Sequence, residues 1–170
     1  MKYVIFRTKW GYFGLAGNKS GLCRTQLPLP EREKVESLIL KNLPQAEFDK
    51  SYFKNLQEQI IAYFEGEHVN FGLEVAVSFN GLRGFSHNVL KACRTIGFGQ
   101  QITYAGLAKK LKSPDAGRAV GNALAKNPLP LIIPCHRVIR SDGKLGGFSA
   151  PGGISLKKRL LQHEKHILLA

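Results

Sequence analysis

The residue types with the most chemical potential sit together in the second half of the 170-residue chain. The stretch Asn127-Pro128-Leu129-Pro130-Leu131-Ile132-Ile133-Pro134-Cys135-His136-Arg137-Val138-Ile139 sets a cysteine beside a histidine at the end of an apolar run. A cysteine attacks as its thiolate, and a neighbouring imidazole can take the thiol proton directly or through water. Pro128, Pro130 and Pro134 restrain this segment, which is expected to be extended. Adjacent side chains of an extended chain point to opposite sides. Direct contact between Cys135 and His136 therefore needs a turn, and a water relay is easier. The competing reading of Cys135 is inert packing as a small hydrophobe, which is also the reading of Cys93.

A third group comes from the C-terminal helix expected over residues 154–168. Its apolar stripe is Leu156, Leu160, Leu161, Ile167 and Leu168, and Glu164 falls on the same face. A buried carboxylate needs a partner. One candidate is His136: Glu164 would hold one imidazole nitrogen and leave the other for Cys135, the orienter–base–nucleophile order of the hydrolase triads. The other is Arg137, or a neighbouring helix end. Lys157, Lys158 and Arg159 are expected on the opposite face, solvated or facing phosphate.

The elements that position these groups can be read upstream. Tyr3–Phe6, Tyr12–Ala16 and Leu22–Leu27 read as a β-meander that ends before Pro28 and Pro30. Helices are expected over Glu31–Lys41 and around Phe53, Leu56, Ile60 and Phe64, with a further strand over Leu73–Phe79. Residues 1–80 are thus an α+β support domain without chemistry. Residues 81–170 read as mostly helical: a helix capped by Ser86, a short one capped by Thr103 over Tyr104–Leu111, and one opened by Ser113-Pro114-Asp115 and running to about Lys126. The last two, joined by a tight turn, make a helix-turn-helix candidate. The second of them is rich in small residues around Arg118, so it can approach another helix, or a narrow groove such as the minor groove of DNA.

Charge is divided in the same way. Residues 1–80 carry 10 basic and 9 acidic side chains, whereas residues 81–170 carry 15 basic ones against only Asp115, Asp142 and Glu164. A near-neutral half joined to a half of net +12 points to a polyanion partner for the second. With 44% hydrophobic and 22% charged residues the composition is that of a globular protein, not a disordered or collagenous one. No apolar run is long enough for a membrane helix, and the N-terminus reads as too short for a secretory signal. Cys23, Cys93 and Cys135 form no C-x-x-C pair, which argues for reduced thiols and a cytoplasmic setting, nucleoid-accessible or nuclear according to the cell type. Cys23 with His68 or His87 does not give a zinc-ligand spacing, and His163 and His166 read as surface residues.

Pro134-Cys135-His136-Arg137-Val138 resembles the active-site signature of the O6-alkylguanine-DNA alkyltransferases. Tyr104-Ala105-Gly106-Leu107-Ala108 resembles that family's first helix and Arg118-Ala119-Val120-Gly121-Asn122-Ala123 its second. Asn127-Pro128-Leu129-Pro130 resembles the hinge, and Leu160-Leu161-Gln162-His163-Glu164 the C-terminal helix. The motifs follow family order over residues 85–165; the N-terminal half matches only in layout. The resemblance implies a fold in which an α+β domain supports a helical domain with a winged-helix-like helix-turn-helix. It implies stoichiometric transfer of an alkyl group from O6-alkylguanine in duplex DNA to Cys135, with O4-alkylthymine open as a second substrate, by a monomer that needs no cofactor and no metal. His136, held by Glu164, would deprotonate Cys135 through water, and Asn127 would hold the hinge. Tyr104 would help turn the nucleotide out and donate a proton toward guanine N3, while Arg118 would fill the gap left in the base stack. Ala119, Val120, Gly121, Ala123 and Ser113 would meet DNA. The backbone at Cys135 and Val138 with Ser149 would read the guanine edge, and Pro130 and Phe148 would line the pocket. The loop Phe148-Ser149-Ala150-Pro151-Gly152-Gly153 is two residues longer than in many relatives, and Phe98-Gly99-Gln100 stands where many have Tyr-Gly-Glu. Two other classes share parts of this pattern: a non-catalytic lesion-binding module, against which Cys135 speaks, and a cysteine hydrolase or acyl transferase, which explains neither the charge nor the small-residue helix.

Overall fold

Near-continuous runs of buried residues along the first 30 positions build a sheet with both faces covered. The computed structural model describes residues 1–79 and 81–170, and the chain divides into two compact units, Met1–Asn80 and Gly81–Ala170. In the first, β1 (Lys2–Thr8), β2 (Gly11–Asn18) and β3 (Gly21–Leu29) form an antiparallel meander, and β4 (Glu47–Phe48) adds in parallel to β1, giving the order β3-β2-β1-β4. Helix α1 (Arg32–Ile39) lies on one face, where Val35 and Ile39 pack on Tyr3, Ile5 and Ala16. Helix α2 (Lys54–Glu65) supplies Phe64, whose ring stands 6.1 Å from that of Phe13 on the opposite face. Two covered faces explain why Phe13–Gly17 is buried without interruption.

Two expectations for this unit are corrected. Strand β3 runs through Pro28 to Leu29 rather than ending before the prolines. It does so at the sheet edge, where a missing N–H leaves no ladder bond unmade. Residues 73–79 form no regular strand: Val77 makes an isolated bridge with Leu22, through Leu22 N–H to Ala76 O at 2.8 Å and Ser78 N–H to Leu22 O at 2.8 Å.

The second unit is mostly helical. Helix α3 (Gly84–Arg94) buries Val89, Leu90 and Cys93. Strand β5 (Ile102–Thr103) leads directly into α4 (Tyr104–Lys110), and a turn joins this to α5 (Gly117–Leu124). After a folded-back segment, a single 3₁₀ turn (Cys135–Arg137) feeds β6 (Val138–Ile139), which pairs in parallel with β5. Helix α6 (Gly153–Leu169) closes the unit. The α4–turn–α5 pair is the helix-turn-helix.

Helix starts differ from expectation where a serine was read as a cap. Helix α3 begins two residues before Ser86, with Arg83 at the cap position and no side-chain cap. Ser113 does not open α5 either: its hydroxyl donates to Leu111 O, and Ser113–Ala116 closes as a turn before the helix starts at Gly117. Thr103 does cap α4, its Oγ1 accepting from Gly106 N–H at 2.9 Å. Thr103→Ala should lower stability by about 1 kcal/mol, read as a shift of the urea midpoint with unchanged slope.

Candidate active site

The segment before Cys135 is not extended. Leu131 takes a left-handed backbone (φ 79°), Pro130 bridges Ile133, and Ile133 N–H returns to Leu129 O at 2.8 Å. Asn127 holds this fold-back from inside. Its Oδ1 accepts from Leu129 N–H at 2.9 Å, and its Nδ2 donates to Ile133 O at 2.9 Å and to Cys135 Sγ at 3.1 Å. The amide thus ties the backbone hinge and the sulfur to one side chain. Cys135 is 8% exposed, enough to line an open cleft of about 1010 Å³.

Behind the sulfur the 3₁₀ turn sends the next two side chains inward. His136 is fully buried, and its Nε2 lies 2.7 Å from Glu164 Oε1. Arg137 donates from Nε and Nη2 to the same carboxylate at 2.9–3.2 Å and from Nη1 to Ile96 O at 2.6 Å. Gly99 N–H donates to Glu164 Oε2 at 3.0 Å. Both partners considered for Glu164 are therefore engaged at once.

Burial alone would raise the Glu164 carboxyl, but hydrogen bonds and charge from His136 and Arg137 hold it well below the usual carboxylate range. Burial lowers His136, against the pull of Glu164, so its ring is neutral at physiological pH. A neutral ring that donates Nε2–H to an ionised carboxylate carries its lone pair on Nδ1. Nδ1 is buried and accepts no hydrogen bond from the protein. Burial pushes the Cys135 thiol up, while Asn127, the Lys157 charge and the backbone N–H groups of Cys135 and His136 pull it down.

Lys157 is the largest departure from the sequence reading. It is not on the solvated face but fully buried, with Nζ donating to Val138 O at 2.6 Å, Gly147 O at 3.3 Å and Tyr104 Oη at 3.4 Å. The signal was present in the spacing: Lys157, Leu160 and Glu164 stand at i, i+3 and i+7, and they are the three buried residues of α6.

Of the residues selected from sequence, Tyr104, Arg118, Gly121, Cys135, Phe148 and Ser149 line the cleft together. Val120 and Ala123 do not: with Leu124 they form the inward face of α5, packed in the core. Ala119 is exposed on the outer face, Ser113 lies in the preceding turn, and Pro130 and Val138 sit in the folded-back segment and β6, away from the cleft lining. Helical spacing separates Val120 and Ala123 from Arg118, Gly121, Asn122 and Ala125, so Asn122 is a lining residue that the same periodicity identifies. Gly146, in the left-handed region (φ 75°), lets the loop close on Tyr104, because a Cβ there would fall 2.7 Å from Tyr104 Oη. Among the described residues no cluster of three or more His, Cys, Asp or Glu side chains is placed to hold a metal ion.

Comparison with known proteins agrees with this architecture. Residues 84–166 match the family described as 6-O-methylguanine DNA methyltransferase, DNA binding domain, and residues 1–77 match its ribonuclease-like domain. The chain is similar to the methylated-DNA–protein-cysteine methyltransferase of Methanosarcina acetivorans, 34% identical with 96% of this chain and 98% of that one covered. It is also similar to that of Mycobacterium tuberculosis, 42% identical over 69% of this chain and 68% of the other. Among solved structures, Mycobacterium tuberculosis OGT in complex with DNA superposes with a TM-score of 0.80 at 33% identity, covering 98% of this chain and 94% of that one. The chain belongs to the O6-alkylguanine-DNA alkyltransferase family, the methylated-DNA–protein-cysteine methyltransferases. With that membership comes the family's general activity, DNA repair by alkyl transfer from O6-alkylguanine to a protein cysteine.

The buried network makes stability pH-dependent. An unfolded chain takes up a proton at His136 below about pH 6.5 that the folded state refuses, so stability falls as pH drops through that value. Glu164 adds stability that is present above about pH 4.5 and is lost as pH falls toward its lower folded value. The urea midpoint should therefore drop between pH 7 and 5, and the His136→Gln variant should lack that drop.

Proposed function

We propose that this protein repairs O6-alkylguanine in duplex DNA by a single-turnover transfer of the alkyl group to Cys135. The observation that carries the reading is the sulfur at the cleft wall, backed by a neutral imidazole whose free lone pair is on Nδ1 and whose other nitrogen is fixed by Glu164. The target carbon lies inside a duplex, so the nucleotide must be turned out to reach the sulfur. The outer face of α5, with Arg118, Ala119, Gly121 and Asn122, enters the minor groove. Arg118 fills the gap in the stack, and Ser113 and the basic surface around it contact the backbone.

His136 Nδ1 takes the Cys135 proton through a water. The thiolate attacks the alkyl carbon in line with the O6–carbon bond: the S–C bond forms as the C–O bond breaks, and the electron pair departs into guanine. Tyr104 donates a proton toward N3 of the leaving base. Ser149 and the backbone at Cys135 read the guanine edge, while Phe148 shapes the pocket. The C–S bond of a thioether on Cys135 is stable to water, so each molecule acts once. The reading includes a monomer that needs no cofactor and works in the cytoplasm within reach of the genome; O4-alkylthymine stays open as a second lesion.

Duplex DNA with labelled O6-methylguanine should place one label per protein on the Cys135 peptide, in one burst. Label retained by the DNA favours a lesion-binding module, and multiple turnover favours a hydrolase. Cys135→Ala should abolish transfer and keep lesion binding. Arg118→Ala should slow duplex repair by roughly tenfold or more, about 1.4 kcal/mol, while leaving reaction with free O6-benzylguanine nearly unchanged. Equal losses on both substrates would remove the extrusion role.

A further inference from the structure

Among the described residues, four that are not glycine hold a left-handed backbone: Asn42, Phe53, Lys112 and Leu131. Asparagine tolerates that region. The Phe53 ring packs edge-on against Tyr52 at 4.7 Å, and Leu131 is buried in the fold-back before Cys135. Lys112 (φ 56°) has neither excuse. Its side chain is exposed and, among the described residues, makes no ion pair and no hydrogen bond.

The backbone conformation itself comes from the way α4 ends. Ser113 N–H donates to Ala108 O at 3.0 Å, and Lys112 N–H donates to Lys109 O at 2.9 Å. This pair of bonds closes a helix when the residue just past its end is left-handed, a place usually taken by glycine. Helix α2 closes in the same way. Glu67 N–H donates to Ala62 O at 3.0 Å and Gly66 N–H to Tyr63 O at 3.2 Å, with Gly66 (φ 108°) as the left-handed residue. Glycine takes that conformation without the clash between Cβ and carbonyl oxygen that other residues incur. One motif is therefore filled by glycine after α2 and by a strained lysine after α4.

The helix dipole does not account for this choice. Lys109 and Lys110 already stand in the last turn of α4, where cations are favoured. Five residues beyond Lys112 the chain enters the N-terminal end of α5 at Gly117, where a cation is disfavoured. Nothing inside the fold gains from the ammonium, so its partner lies outside the chain.

We infer that Lys112 is a phosphate anchor: the left-handed exit of α4 holds its ammonium outward to pair with a backbone phosphate of the duplex on which α5 docks. The inference rests on the reading of α5 as the element that enters the groove, and it adds a contact outside the cleft, whose lining does not include Lys112. An ammonium on a phosphate reads no base edge, so the anchor grips damaged and undamaged duplex alike and takes no part in alkyl transfer.

The test is binding of the full-length protein to undamaged duplex DNA across a salt series. Lys112→Gln keeps most of the side chain and removes the charge. It should weaken binding several-fold and lower the slope of log affinity against log salt by about 0.9, the loss of one phosphate contact. Lys112→Arg should keep the wild-type slope. Lys112→Gly should lose the same slope and, because the strain leaves with the side chain, raise the urea midpoint above that of the wild type. All three variants should react with free O6-benzylguanine at the wild-type rate. An unchanged slope in Lys112→Gln overturns the inference, and so does a urea midpoint that fails to rise in Lys112→Gly. The glycine variant carries the slope measurement even where Lys112→Gln fails to fold. Label transfer to Cys135 in wild-type protein is scored on its own, so a missing anchor is distinct from a missing acceptor.

Discussion

The Glu164 carboxylate is the constraint on which the helical unit depends. It accepts from His136, Arg137 and Gly99, so one side chain of α6 binds the 3₁₀ turn and the loop that follows α3. A buried charge left unpaired is costly, and this holds for the carboxylate and the guanidinium alike. Glu164 pairs with His136 and Arg137 at once, which ties the turn to α6. The chemistry inherits that geometry: Cys135 is presented to the cleft because the two residues after it are pulled the other way.

Asn127 plays the matching part from the opposite side. Its amide satisfies two backbone groups of the fold-back and still reaches the sulfur. Hinge and nucleophile are therefore one hydrogen-bonded unit, and displacement of either is felt by the other. The Tyr104 side chain is similarly fixed by more than one element: Gly146 closes on it from the loop and Lys157 contacts it from beneath.

How much of this was legible in the sequence depended on whether spacing or residue type carried the signal. The three-stranded meander, the Thr103 cap and the burial of Glu164 followed from period and local chemistry. Extended geometry was wrong for residues 127–137, because a left-handed Leu131 and the internal Asn127 bonds reverse the chain, and neither is encoded in a local pattern. Ser86 and Ser113 looked like helix caps by type, yet Arg83 and Ala116 occupy the cap positions. Lys157 was misplaced for the same reason: its charge outweighed an i, i+3, i+7 spacing that put it beside Leu160 and Glu164. Val120 and Ala123 were assigned to a DNA-facing surface by their small size, when the same helical period turns them inward against α3 and α4.

The burial of Lys157 and of the Arg137–Glu164 pair changes what the positive half of the chain presents to water. Of its fifteen basic side chains, thirteen remain at least partly outward, opposed by only Asp115 and Asp142. A surface so lopsided does not sit bare in solution. A phosphate backbone that docks there is neutralised by these side chains and sheds the cations condensed along it. The entropy of those released ions, rather than any single contact, then supplies much of the non-specific grip on a polyanion.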